Sequence, residues 1–218
     1  LTASDGRGKQ ARMLLWAGTI LLLAGLGCFA IDRRAAHYFH AKVSKPLERL
    51  LHRTTDWAKG AHWLAIASVA FLAAEGIERV WRKTALLDLL ARVSLAFLAS
   101  LAVASVILHT TKILLGRRRP RDELELNLYG FRPFTFNLAS DSFPSGHSLT
   151  IVCVAVVLTS VSPTLAPLWF AIAIYLALTR TLLNSHYLSD VLVGAAVGLI
   201  CTREVLLHFF PSLMLSWF

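Results

Sequence analysis

Five consecutive residues, Phe143-Pro144-Ser145-Gly146-His147, separate an arginine-rich polar stretch from a long apolar one. The junction reads as the N-terminus of a buried helix. Pro144 has the fixed φ of a helix start, and Gly146 lets other groups approach the backbone closely. Free N–H groups and the positive end of a helix dipole make an anion site before any side chain is counted. Ser145 adds a hydroxyl and His147 a titratable imidazole. In a second cluster, Arg180-x5-His186-x3-Asp190, the histidine and the carboxylate are spaced i, i+4 and share a helix face. A carboxylate behind an imidazole fixes its tautomer and favours its charged form, which suits a nucleophile or a base. A third cluster, Lys112-x6-Arg119-Pro120, supplies cations. With Arg180 they offer the point charge and planar forks that match the oxygens of a tetrahedral anion. Together the pieces form an oxyanion cradle beside an imidazole.

Bringing these clusters together requires helices. Apolar runs at about 13–31, 59–77, 92–115, 147–161, 165–183 and 188–210 approach or exceed the length that spans a bilayer. The third has a possible helical start at Leu86. The reading is an all-α, polytopic membrane protein: one domain over 1–218, with six transmembrane helices and a loose basic tail at 1–12. The run 33–59 is too charged to span. From Ser44, a plausible N-cap with Pro46 in the first turn, Leu47, Leu50, Leu51, Thr54 and Ala58 recur at helical spacing opposite Lys45, Glu48, Arg49, His52, Arg53 and Asp56. That pattern fits an amphipathic helix in the interface, and equally a loop helix packed on its neighbours. Six spans put both termini on one side and all three clusters on the other. The long hydrophilic connection 116–146 is a functional candidate by its length.

Composition agrees. Of 218 residues, 56% are hydrophobic and only 16% charged, against about 25% in a soluble domain. The net charge of +9, without a recognition motif or aromatic–basic interleaving, fits anionic headgroups or a phosphate-bearing substrate rather than nucleic acid. Cys28, Cys153 and Cys201 sit at unrelated depths in apolar runs and read as packing residues. Asp122, Glu123 and Glu125 read as solvated loop residues, not a metal site. Arg117, Arg118 and Arg121 read as contacts to the lipid headgroup or a substrate diphosphate, or equally as plain membrane anchors; His109, one turn from Lys112, reads as a packed or interfacial histidine more than as a group that approaches the site. Tyr129, Phe131 and Phe134 with Arg132 read as a lid or as a bilayer-dipping loop. Each chemical cluster also has a structural reading alone: a helix cap, a His–Asp packing contact, an arginine anchor. Their coincidence at one membrane face favours chemistry.

Lys112-x6-Arg119-Pro120, Pro144-Ser145-Gly146-His147 and Arg180-x5-His186-x3-Asp190 resemble, in order, the tripartite signature of the type-2 phosphatidic acid phosphatase superfamily. Thr179 stands where that family usually has Ser. The resemblance implies that His186 attacks phosphorus to form a phosphohistidine, with Asp190 orienting it. It also implies that His147 protonates the leaving oxygen and later activates water, and that Lys112, Arg119, Ser145, Gly146 and Arg180 hold the phosphoryl oxygens. The expected activity is metal-independent and cofactor-free removal of a terminal phosphate from a lipid phosphate or diphosphate. The expected place is a bacterial inner membrane, with the site on the periplasmic face and no obligate protein partner. The rival readings are a phosphotransferase with an alcohol acceptor, and a non-catalytic lipid-phosphate binder or transporter.

Overall fold

The computed structural model describes residues 3–134 and 141–214. Its helices are α1 (Ala3–Cys28), α2 (Asp32–Lys42), α3 (Lys45–Thr55), α4 (Gly60–Val80), α5 (Ala85–Leu115), α6 (Pro120–Leu126), α7 (Gly146–Val161), α8 (Ala166–Leu182) and α9 (Leu188–Phe209). Among the described residues, five segments are long and apolar enough to cross a membrane; they fall on α1, α4, α5, α8 and α9. The sixth apolar helix, α7, has 16 residues, about 24 Å of rise. It is shorter because it is internal: nearly every residue from Ser148 to Ser160 is buried. The protein is an integral membrane protein, and its outer helices present Trp16, Leu23, Val69, Leu72, Val106 and Ile174 outward as apolar surface.

Local sequence explains the helix ends. Thr84 caps α5 by accepting from the Leu87 N–H (3.2 Å), so that helix starts well before the expected Arg92, close to the possible start at Leu86. It closes at Gly116, which adopts φ +55° as helix-terminal glycines do. Ser145 caps α7 through its hydroxyl and the Ser148 N–H. Ser44 stands at the N-cap of α3 and Pro46 follows in the first turn, but the serine side chain makes no capping bond. The tail expected to be loose is helical from Ala3 onward and runs without a break into α1, where Ala11 and Leu14 are buried.

The bundle is organised around α9, which packs on α1, α5 and α7. Gly194 and Gly198, four apart, let the backbone of α7 come so close that a Cβ at Gly194 would lie 2.4 Å from Ser145 O, and one at Gly198 2.5 Å from Leu149 O. Small residues at this spacing let membrane helices approach closely. Arg203 Nε donates to Ala11 O (2.9 Å), joining the far ends of α9 and α1 on one side, as six crossings require. The charged run 33–59 forms α2 and α3 at the opposite side. In α3, Leu51 is buried whereas Leu47 and Leu50 are exposed, so one helix both packs on α8 and presents apolar surface outward.

Candidate active site

Just past the left-handed turn at Gly116, the chain buries a whole arginine. Arg117 has no exposed surface. Its Nη1 donates to Asp190 Oδ1 (2.5 Å) and Ser189 Oγ (2.6 Å), and its Nη2 to Asp32 Oδ2 (2.8 Å) and the Tyr129 hydroxyl (3.3 Å). The guanidinium carbon lies 4.3 Å from the ring centroids of both Phe29 and Tyr187. Planar charge, fork geometry and weak hydration make arginine the side chain suited to such a place. Backbone bonds fix the segment: Arg118 N–H to Gly130 O (3.0 Å), Arg132 N–H to Gly116 O (2.8 Å) and Ser142 N–H to Arg117 O (2.7 Å).

Ser142, thus anchored, carries both chemical partners. Its carbonyl lies 2.7 Å from His186 Nδ1, and its hydroxyl donates to Asp190 Oδ2 in a short bond. A carbonyl can only accept, so His186 carries its proton on Nδ1 and its lone pair on Nε2. Asp190 Oδ2 is 3.8 Å from Nδ1, beyond hydrogen-bond range. The direct carboxylate–imidazole bond expected from the i, i+4 spacing is therefore replaced by a relay through Ser142. The reason is the start of α9: Asp190 Oδ2 turns back to accept the Tyr187 N–H (2.8 Å) as a capping carboxylate. Burial first, and then the cations Arg119 and Arg180, push the His186 imidazole down to about 4 against the opposing Asp190 charge.

The remaining residues converge as expected. Lys112 ends α5 buried, its ammonium donating to Asp141 O in a short bond. Lys112 also interacts electrostatically with Arg119, Asp141 and Asp190. Arg119 begins α6; burial and the neighbouring Arg121 depress its guanidinium. Burial pushes the Asp141 carboxyl up against the pull of Lys112, Arg132 and Arg119. His147, in the first turn of α7, interacts electrostatically with Arg180, His186, Lys59 and Arg119. The α7 start is tied to the α9 start by the bond from Ser145 N–H to Asp190 O (2.9 Å). Lys112, Arg119, Ser145, Gly146, His147, Arg180, His186 and Asp190 therefore share one end of the bundle. Among the described residues, no three His, Cys, Asp or Glu side chains gather as metal ligands would.

Other residues depart from their sequence reading. Arg117 is not at the headgroups but inside. Asp32, the residue that follows the apolar run 13–31, is fully buried. Glu123 is buried rather than solvated, because Arg33 reaches it from α2 through Nε (2.7 Å) and Nη2 (2.5 Å). Tyr129 and Phe131 wall the Arg117 site: the Tyr129 ring meets Tyr187 edge-on, and Phe131 stacks on Phe29. Phe134 and His109 are exposed. Thr55 of α3, not singled out in the sequence, is buried and accepts from Arg180 Nη1 (3.1 Å) while lying 2.8 Å from the Thr179 hydroxyl. Its only prior signal was its place on the apolar face of an amphipathic helix.

Known proteins resemble this chain in sequence and in fold. A lipid A 1-phosphatase of Rhizobium etli is 36% identical over 104 residues, 47% of this chain and 45% of that protein. One of Rhizobium johnstonii is 34% identical over 95 residues, 44% of this chain and 39% of that protein. The matched segment thus spans less than half the length of either relative. A transmembrane PAP2-type phosphatidylglycerolphosphate phosphatase of Bacillus subtilis shares the fold, with a TM-score of 0.62 at 20% identity over 90% of this chain and 94% of that one. Residues 93–213 match the PAP2 superfamily model, a stretch that holds all three clusters and more than half of the 218 residues; the chain belongs to the PAP2 superfamily.

Proposed function

We propose that the chain is a lipid phosphate phosphatase that works through a phosphohistidine. The observation that carries this reading is the Nδ1–Ser142 carbonyl contact, which leaves the His186 Nε2 lone pair free in a pocket of cations. With its imidazole depressed to about 4, His186 is neutral near pH 7 and ready to attack. Nε2 bonds to phosphorus as the bond from phosphorus to the lipid oxygen breaks, and His147 gives that oxygen a proton. His147 then takes a proton from water, whose oxygen attacks phosphorus and releases phosphate and His186. Lys112, Arg119, Arg180 and the N-terminus of α7 neutralise the equatorial oxygens, since phosphoryl transfer depends mainly on positioning and charge. Asp190 acts through Ser142 to hold the imidazole.

The names of the rhizobial relatives favour the phosphate at position 1 of lipid A as the substrate. The site would open to the periplasmic face, where positive charge near the headgroups is then a property of the site and not of topology. An apolar groove of about 820 Å³ between α1 and α8, floored by α9, includes Val191 beside Asp190 and Ala177 one turn before Arg180. A groove with that apolar lining suits the acyl part of a lipid. The test is phosphate release by detergent-purified protein from lipid A, phosphatidylglycerol phosphate, phosphatidic acid and undecaprenyl diphosphate, with EDTA present. Acid-labile radiolabel trapped on the protein and lost in His186→Ala supports the reading. Turnover that survives this substitution, or tight binding without turnover, refutes it; product carrying the phosphate on an added alcohol identifies a transferase.

A further inference from the structure

Asp32 lies outside the three clusters and outside residues 93–213, yet its side chain is fully buried at the site. One oxygen accepts from Arg117 Nη2 (2.8 Å) and from the Ser189 hydroxyl (2.5 Å); the other accepts the Ser189 N–H (3.0 Å). A carboxylate at the α1–α2 joint therefore grips both the buried guanidinium and the first turn of α9. Arg117 passes the constraint to Asp190 Oδ1, Asp190 to the Ser142 hydroxyl, and the Ser142 carbonyl to His186 Nδ1. Asp32, Arg117 and Asp190 together carry one net negative charge with no exposed surface. Such a group is a poor device for stability alone, because apolar residues of like volume often serve as well or better. Its place behind the histidine calls for another account.

We propose that Asp32 is a positioning residue for the phosphoryl transfer: through Arg117 and Ser189 it holds Asp190 and the α9 start in register with His186. This rests on the reading of His186 as nucleophile. Asp32 also sets a charge balance. The groups that act on the imidazole are Asp190 from α9, Arg119 from the start of α6, Arg180 from α8 and His147 from α7, while Lys112 from α5 acts on Asp190. Against these cations, Asp32 keeps the Asp32–Arg117–Asp190 group net negative instead of neutral.

Asp32→Asn keeps the shape and the acceptor for the Ser189 N–H but removes the charge. The expected result is a kcat lower by about tenfold or more with KM within about twofold, since small misplacements near reacting atoms are costly. The acid limb of kcat/KM moves down by less than about one pH unit, because Asp190, which faces the imidazole, is then offset by Arg117 with no second carboxylate beside it. A ¹⁵N titration of His186 in micelles should move the same way and needs no turnover. Phe29→Leu, which removes a ring over Arg117 but no charge, should lower stability without moving either pH readout. If Asp32→Asn does not fold, Asp32→Asn/Arg117→Gln restores the parent net charge; it should show a near-parent His186 titration with low kcat. A kcat within about threefold of the parent with an unmoved His186 titration overturns the proposal, and so does an equal pH shift in Phe29→Leu. Absence of phosphate release from every lipid by the parent protein sinks the phosphatase reading instead, while the titration still decides the role of Asp32.

Discussion

Gly194→Ala tests whether the close approach of α7 and α9 sets the geometry of the site. The new Cβ would lie 2.4 Å from Ser145 O and 3.1 Å from Ser145 N, where ordinary contact begins at 3.4 Å, so the two helices must part by about 1 Å. The obstacle is backbone and cannot rotate away. Ser145 caps α7, and its N–H bonds Asp190 O, so the displacement falls on the anion-binding turn and the carboxylate together. A shift of that size near reacting groups costs about 10²-fold in rate, while overpacking costs about 1–3 kcal/mol in stability. Gly198→Ala makes a like clash, 2.5 Å from Leu149 O, one turn deeper in the membrane. It should lose comparable stability but far less kcat. Gly76→Ala, with nothing within 4 Å, should leave activity alone. Phosphate release from a lipid phosphate, set beside thermal melting in the same detergent, separates the two effects. The reasoning fails if Gly194→Ala keeps kcat within about threefold of the parent, or if Gly198→Ala loses as much kcat at equal stability.

Other outcomes follow from the same geometry. Thr55→Val leaves Arg180 Nη1 without its acceptor at 3.1 Å; a hydrogen bond to a charged group is worth about 1.5–3 kcal/mol, so KM should rise about tenfold with a smaller change in kcat. Protonated His186 cannot attack, so kcat/KM should hold as pH falls below 6.5 and drop only as it passes about 4, after correction for substrate ionisation; a limb at 6.5 contradicts the depressed imidazole. Ser142→Ala keeps the carbonyl that binds Nδ1 but removes the hydroxyl held by Asp190, and should cost about 10-fold or less in kcat, against near-complete loss in His186→Ala; equal losses would remove the relay. EDTA should leave initial rates unchanged, and restoration of lost activity by added Mg²⁺ would require a different source of charge neutralisation.

How much of this was legible without coordinates depends on the kind of interaction. The spans, the three clusters and their common face follow from hydrophobic runs and from where the charged and polar residues fall between them. Ser145 at its cap, Gly116 at the end of α5 and the turn at His186 are local features, set by residues a few positions apart. The paired roles were not local. Arg117 looked like one more arginine in a basic run, and Asp32 like one more polar residue past an apolar run, because nothing in either neighbourhood names a partner 85 residues away. The i, i+4 spacing put Asp190 and His186 on one face, but the capping demand of α9 and the arrival of Ser142 decided which atoms bond. Sequence alone determined the membrane architecture and the helix ends at which the titratable and cationic groups lie, because burial in lipid and helix ends are short-range constraints. Only the tertiary structure decided which buried charges neutralise one another, since a low-dielectric interior forces each to find a partner wherever the fold supplies one.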